Sequence, residues 1–221
     1  LKQKTNNNPN FLKKVALISF LIVLIDQLVK IYIKTTMTIG QDGWDIGIMK
    51  IHFVENPGMA FGTELDFPYG KLILGLLRIG AITAIILYLK KLLTNKAPFG
   101  LLVAVSCVLA GAIGNVIDGA FYGLIFSESN YFDVAQLFPA EGGYESFMHG
   151  KVVDMFQFTI EFPSWSPIYP GKQLFPFIFN VADAAISVGV FVILLGYRKF
   201  FKAPHNELTT ESNSPETNEE E

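Results

Sequence analysis

The sequence predicts a mainly α-helical integral membrane protein, with four transmembrane helices and a small β-sheet platform on the outward surface of the membrane. Of its 221 residues, 51% are hydrophobic and only 17% are charged. The apolar residues form four runs that approach or reach the roughly 20 residues an α-helix needs to cross a bilayer. These runs cover residues 12–33, 72–89, 99–117 and 175–197. We therefore expect one four-helix membrane domain within residues 1–204.

The first run has one feature of a secretory signal, because Lys13 and Lys14 precede it. It is too long for a signal, and no small-residue cleavage site precedes Asp26 and Lys30. We therefore interpret the run as a retained first helix.

The basic residues predict the orientation of the four helices. Ten of the seventeen lie before the first run, between the second and third runs, or after the fourth: Lys2, Lys4, Lys13, Lys14, Lys90, Lys91, Lys96, Arg198, Lys199 and Lys202. If the helices alternate in direction, all ten share one side, which the positive-inside rule assigns to the cytoplasm. Both termini are then cytoplasmic, and segments 34–71 and 118–174 face outward.

The C-terminal segment, residues 205–221, is acidic and has little apolar content. This composition is typical of a disordered extension, here on the cytoplasmic side. The acidic tail contributes much of the negative charge behind the net value of −3. This charge does not indicate an acidic or nucleic-acid partner. The single cysteine, Cys107, excludes a disulfide framework and a thiolate metal site.

The two outward segments differ in pattern. Met49, Ile51 and Phe53 alternate with polar residues, which predicts a short strand. The turn signal "NPG" follows at 56–58, so we expect a β platform over about residues 44–63. The second segment is long and rich in aromatic residues, with Trp165 and Tyr169 as candidate interface anchors.

Several polar residues interrupt the apolar runs. A carboxylate at the centre of a membrane helix costs about 2.5–3.5 kcal/mol. Asp26 and Lys30 are four residues apart and so lie on one helix face. The pairs Asn115 with Asp118 and Asn180 with Asp183 are each three apart, and Asp154 stands in the outward segment between them.

All of these groups fall at one depth under the predicted orientation. Asp26 lies about 10 Å from the outer end of its run, and Asp118 and Asp183 lie at the outer ends of theirs. Simpler readings exist: an orienting ion pair for Asp26 and Lys30, capping or bracing for the asparagines, and solvated surface for Asp118. Arg78 either snorkels or pairs with a carboxylate.

The sequence contains no HExxH, GxSxG or Gly-rich phosphate motif, which leaves carboxylate chemistry. Two aspartates in a low-dielectric site do not both ionise, so one holds a proton and the other acts as base. Such a pair can activate water against an amide without a metal or cofactor. A proton- or ion-coupled transporter and a non-catalytic membrane scaffold are the alternatives.

Five stretches resemble the bacterial lipoprotein signal peptidases, also called signal peptidase II. They are "DQLVK" at 26–30, "ENPGMAFG" at 55–62, "GAIGNVIDG" at 111–119, "VVDMF" at 152–156 and "FNVADAAISVG" at 179–189. The resemblance implies an aspartic endopeptidase of the inner membrane, with its active site near the outer face. It would cut prolipoproteins before a diacylglyceryl-modified cysteine, and its partners would be those substrates, membrane lipid and the antibiotic globomycin.

The resemblance also implies roles for particular residues. Asp154 and Asp183 match the catalytic pair. The positions that brace the site or contact substrate and globomycin match Asp26, Lys30, Asn56, Gly58, Asn115, Asp118 and Asn180.

Two departures from the family pattern stand out. The family usually has Arg directly after the Asp of its "GNxxD" motif, where this chain has Gly119. The 35 residues between Asp118 and Asp154 also exceed the short loop expected there. We interpret residues of about 125–150 as an outward insertion, either a lid over the site or a docking surface.

Overall fold

The computed structural model describes residues 10–57 and 70–201, and in these ranges it contains four long helices and one four-stranded sheet. The helices are α1 (Asn10–Thr36), α2 (Gly70–Thr94), α3 (Phe99–Ile117), the short α4 (Gly123–Ile125) and α5 (Val181–Phe201). A π-helical turn, Asp118–Tyr122, joins α3 to α4. The predicted site residue Gly58 and the predicted tail, residues 205–221, lie outside the described residues.

The first three long helices can each cross a membrane by length and hydropathy, over Asn10–Thr36, Ile73–Thr94 and Phe99–Ile125. The fourth apolar helix, Val181–Tyr197, is shorter. Its predicted start at residue 175 is wrong, because Ile178–Phe179 forms strand β4. Pro176 lacks the backbone N–H that a helix interior needs, and Asn180 caps the helix that follows.

The sheet is antiparallel, in the order β1 (Asp42–Asp45), β2 (Met49–Asn56), β3 (Val152–Phe158) and β4. Strand β2 confirms the strand that the alternating pattern of Met49, Ile51 and Phe53 predicts. The platform is wider than its predicted bounds, because it recruits β3 and β4 from the second outward segment. Asp154, which the sequence places only within the second outward segment, therefore lies on a strand.

Helix α3 is the centre of the bundle and packs closely against α5. A Cβ on Gly189 would lie 2.5 Å from the backbone oxygen of Ala104, and one on Gly111 would lie 2.6 Å from Cγ1 of Ile186. Glycine at these positions therefore allows the close approach. A buried apolar cluster holds the other half of the bundle together: Val15, Leu89, Leu92, Leu101, Leu102, Val105 and Leu109.

The insertion predicted near residues 125–150 is hydrogen-bonded to the end of the α3 region. Its backbone donates hydrogen bonds from Gly150 to Gly119 O, from Glu145 to Gly123 O and from Tyr144 to Phe126 O. A second buried cluster joins its base to α1 and the sheet: Ile33, Met37, Phe53, Tyr122, Phe126, Val153 and Met155. The insertion is therefore a packed layer against the sheet.

Candidate active site

A buried ion triad lies between α1 and the end of α3. The Lys30 ammonium lies 2.9 Å from Asp26 Oδ2 and 2.8 Å from Asp118 Oδ2, and it donates to Asn115 Oδ1 at 2.9 Å. Lys30, Asp26 and Asp118 are each 0% exposed. The reading of Asp118 as solvated surface is therefore wrong, and the pair of Asp26 and Lys30 has a third charged member.

Local backbone features make this triad possible. The π-helical turn begins at Asp118, and such turns are frequent at functional sites. A Cβ on Gly114 would lie only 2.6 Å from Asp26 Oδ2. The glycine therefore lets the α1 carboxylate approach the α3 backbone.

Asn180 and Asp183 form the N-terminal cap of α5. The backbone N–H of Asp183 donates to Asn180 Oδ1 at 2.9 Å, and the N–H of Asn180 donates to Asp183 Oδ2 at 3.2 Å. This reciprocal pair has the pattern of a capping box. Asp26 completes the cap, because its Oδ1 accepts the N–H of Ala182 at 2.8 Å. The positive end of the helix dipole thus faces two carboxylates.

Asp154 reaches the same point from the sheet. It pairs with Val54 across β2 and β3, and alternation along β3 sends Val153 and Met155 into the apolar cluster. Asp154 is 5% exposed, and Asn180 Nδ2 donates to its Oδ1 at 2.6 Å. Burial, with the nearby charge of Asp183, raises the pKa of Asp154 to about 7.

The two asparagines join the two acids. Asn115 Nδ2 donates to Asp183 Oδ1 at 2.8 Å, and Asn180 Nδ2 also reaches Asn115 Oδ1 at 3.2 Å. Asp154 is buried, whereas Asp183 is half-exposed. The arrangement therefore presents one carboxyl that favours its proton beside a second, hydrogen-bonded carboxylate that can be reached from outside.

The structure brings together seven of the predicted site residues: Asp26, Lys30, Asn115, Asp118, Asp154, Asn180 and Asp183. Asn56 ends β2 opposite Val152, two residues from Asp154. It therefore lies at the edge of the site.

Sequence reasoning missed five residues around the site, which form one group about Gln27 and another about Lys34. Gln27 donates to Asp118 Oδ1 at 2.9 Å and accepts from the Tyr122 hydroxyl at 3.1 Å. Lys34 forms a buried ion pair with Glu55 and donates to Ser129 of the insertion at 2.7 Å. One signal was present, because Lys34 follows Lys30 at the same four-residue spacing that links Asp26 and Lys30.

The fold and this site define a polytopic membrane peptidase of the aspartic class. The sequence model of the family described as "Signal peptidase (SPase) II" matches residues 18–199. The chain belongs to that family.

Similar proteins agree with this assignment. A protein of Porphyromonas gingivalis named lipoprotein signal peptidase is 46% identical over 191 residues, covering 84% of this chain and 83% of its own. One of the same name from Amoebophilus asiaticus is 36% identical and covers 85% and 78%. A solved bacterial membrane enzyme has the same fold, with a TM-score of 0.56 at 24% identity over 91% and 95% of the two chains.

Proposed function

We propose that this protein removes the signal peptide from prolipoproteins by cleaving the bond before a diacylglyceryl-modified cysteine. Its family and the names of its relatives support the reaction. The observation that carries the proposal is the joint binding of Asp154 and Asp183 by Asn180 at the outer end of α5. The lipid on the substrate would hold the scissile bond at this depth in the membrane.

The two carboxyls would act as one acid–base pair. In the free enzyme they share one proton, which Asp154 holds because its site is buried. Asp183 accepts a proton from water while the water oxygen adds to the scissile carbonyl carbon, and Asp154 donates its proton to the carbonyl oxygen. The tetrahedral intermediate then loses its C–N bond as Asp183 passes its proton to the departing amine of the cysteine. At the same time Asp154 takes back a proton from a hydroxyl of the intermediate, so that the new carboxyl group forms. Both acids return to their starting states.

We infer an inner-membrane location, with both termini in the cytoplasm and the site near the outer face. The ten basic residues on one predicted side support this orientation. Membrane lipid is the expected neighbour of the outer helix faces, where Leu17, Phe20 and Leu28 of α1 are more than half exposed. We expect globomycin to compete with substrate at the Asp pair. The peptidase domain would occupy residues 1–204.

The direct test uses the purified chain in detergent with a diacylglyceryl-modified prolipoprotein. We expect cleavage that leaves the lipidated cysteine as the new N-terminal residue, identified by mass spectrometry. Asp154→Asn and Asp183→Asn should each lose at least about 10³-fold in kcat, because each removes a proton carrier. Asp133→Asn is the matched control, since Asp133 is exposed in the insertion.

Three results would contradict the proposal. Cleavage by either Asn variant would refute the acid pair. Inhibition by a metal chelator would indicate a metal-dependent reaction. Equal cleavage of a prolipoprotein without the diacylglyceryl group would refute the substrate class.

A further inference from the structure

Arg78 lies within the apolar stretch of α2, between Lys71 and Lys90. It lies eight residues beyond the start of the helix at Gly70, or about 12 Å along the axis. Residues 73–89 contain no other charged side chain. Arginine at such a depth is costly unless a cavity or a carboxylate receives it, and the side chain is half-buried.

The guanidinium of Arg78 lines a pocket between α2, the π-helical turn and the loop before β3, with Gly75, Gly119 and Met148. A Cβ on Gly75 would overlap the terminal methyl of Met148, so this glycine admits the loop. A Cβ built on Gly119 would have Arg78 Nη1 as its nearest described neighbour, at 3.8 Å. A long side chain on Gly119 would therefore enter the space that the guanidinium uses.

Arg78 lies within electrostatic range of two carboxylates, Asp118 and Asp183. Lys30 is already bound to Asp26, Asp118 and Asn115. With one proton shared by Asp154 and Asp183, three negative charges remain among the four site aspartates, and Lys30 and Arg78 offset two of them. Without Arg78, Lys30 would be the cation bound directly to these carboxylates among the described residues.

We propose that Arg78 is a positioning residue for the reaction, and that Gly119 is glycine so that the α2 guanidinium can lie over the π-helical turn. The positive charge attracts the side chains of Asp118 and Asp183 and holds both in place while substrate enters. This assignment rests on the proposed peptidase function.

The test compares pH profiles of kcat/KM for Arg78→Gln, Arg78→Lys and the parent, all in the cleavage assay. We expect Arg78→Gln to lower kcat at least about 10-fold and to move the acid limb of the profile upward by about 1 pH unit, because an opposite charge nearby favours the ionised acid. Arg78→Lys should retain the parent's acid limb. Lys90→Gln, an exposed cation at the far end of α2, should change neither quantity.

Substitutions of Gly119, which lines the other side of the pocket, test the position of the same guanidinium. Gly119→Leu should displace Arg78 and move the acid limb in the same direction, and Gly119→Ala should move it less, since a Cβ fits at 3.8 Å. The proposal is overturned if Arg78→Gln loses activity with an unmoved acid limb, or if Arg78→Lys shifts as far as Arg78→Gln. Failure of the proposed function is distinct, because the parent chain would then not cleave the substrate at all.

Discussion

The side-chain amide of Asn180 donates to Asp154 at 2.6 Å, while its carbonyl oxygen caps the helix that carries Asp183. One residue thus orients both candidate catalytic acids. Nδ2 of the amide holds Asp154 and Oδ1 caps α5, so substitutions can remove one of these contacts and keep the other.

Asn180→Ser should keep the cap, because a serine hydroxyl is also a good N-cap acceptor, but lose the amide donor to Asp154, and Asn180→Ala should lose both. We expect both variants to lose at least about 10²-fold in kcat, because Asp154 would lose its only described side-chain donor. Only Asn180→Ala should also lose about 1 kcal/mol of stability, the usual value of an N-cap. Thermal unfolding in detergent measures this difference, and equal unfolding temperatures for the two variants would contradict this separation of the two contacts.

The raised pKa of Asp154 predicts how stability depends on pH. Because burial raises this pKa from 3.8 to about 7, the folded state binds the proton more tightly than the unfolded state. The contribution of Asp154 to the free energy of unfolding is therefore fully present below about pH 4 and falls as the pH rises towards 7. Above pH 7 it no longer changes with pH. The total loss is on the order of 4 kcal/mol at about 1.4 kcal/mol per pH unit.

Asp154→Asn removes this dependence, because the amide is a neutral replacement. The variant should unfold at a higher temperature than the parent at pH 8 and at the same temperature near pH 4. A gap of equal size at both pH values would show that the charge of Asp154 is not the cause. Parent activity should also decline on the alkaline side with a midpoint near 7, as the shared proton is lost.

The Lys30 triad predicts a large stability effect for a buried charge. Lys30→Met leaves Asp26 and Asp118 without their cation, which costs about 3–5 kcal/mol when a buried pair is broken. Lys50→Met is the matched control, because Lys50 pairs with Asp42 at 2.9 Å in an exposed position. That variant should lose no more than about 1 kcal/mol. Similar losses in the two variants would argue against the buried triad.

Gly114 predicts a steric effect at the same place. Gly114→Ala puts a Cβ 2.6 Å from Asp26 Oδ2, so α1 and α3 must separate or the carboxylate must move. We expect lower thermal stability and lower kcat. Gly80→Ala, which meets no described atom within 4 Å, should be neutral or slightly stabilising, because alanine is the better helix former. If the two variants have the same thermal stability and the same kcat, the close approach of α1 and α3 at Gly114 is not needed for either.

The insertion can be tested as a docking surface without disturbing its packed base. Tyr131, Phe132 and Phe138 are each more than 70% exposed. A triple serine variant should retain the parent's stability and lose affinity for full-length prolipoproteins, seen as a higher KM with unchanged kcat. Ser129→Ala, which cuts the tie to Lys34, should instead lower stability. An unchanged KM in the triple variant, together with unchanged cleavage after deletion of residues 128–147, would remove any role for the insertion in substrate handling.

The helical part of the fold was predictable because four apolar runs are a strong local signal. The polar layer was also predictable, since the spacing of Asp26 with Lys30 and of Asn180 with Asp183 places each pair on one face. The strand that carries Asp154 was missed, because the first four residues of "VVDMFQF" are all buried and the segment does not alternate throughout. Period-two patterning detects only strands with one wet face.

The partners of Lys34 and Gln27 were not predictable for a different reason. Glu55 and Ser129 meet Lys34 from a strand and from the insertion, 21 and 95 residues away in the chain. Local spacing carries no information about such pairings. The charge of Arg78 was visible, but its position over Gly119 depends on how α2 lies against the π-helical turn.

The cap that Asp26 supplies to α5 spans 156 residues of chain. During synthesis the first helix enters the bilayer with a carboxylate whose recipient, the N–H of Ala182, has not yet been made. Asp183 and its cap arrive with the last helix as well. In the proposed mechanism, the acid pair is therefore complete only after the last helix has been made and has packed against the first.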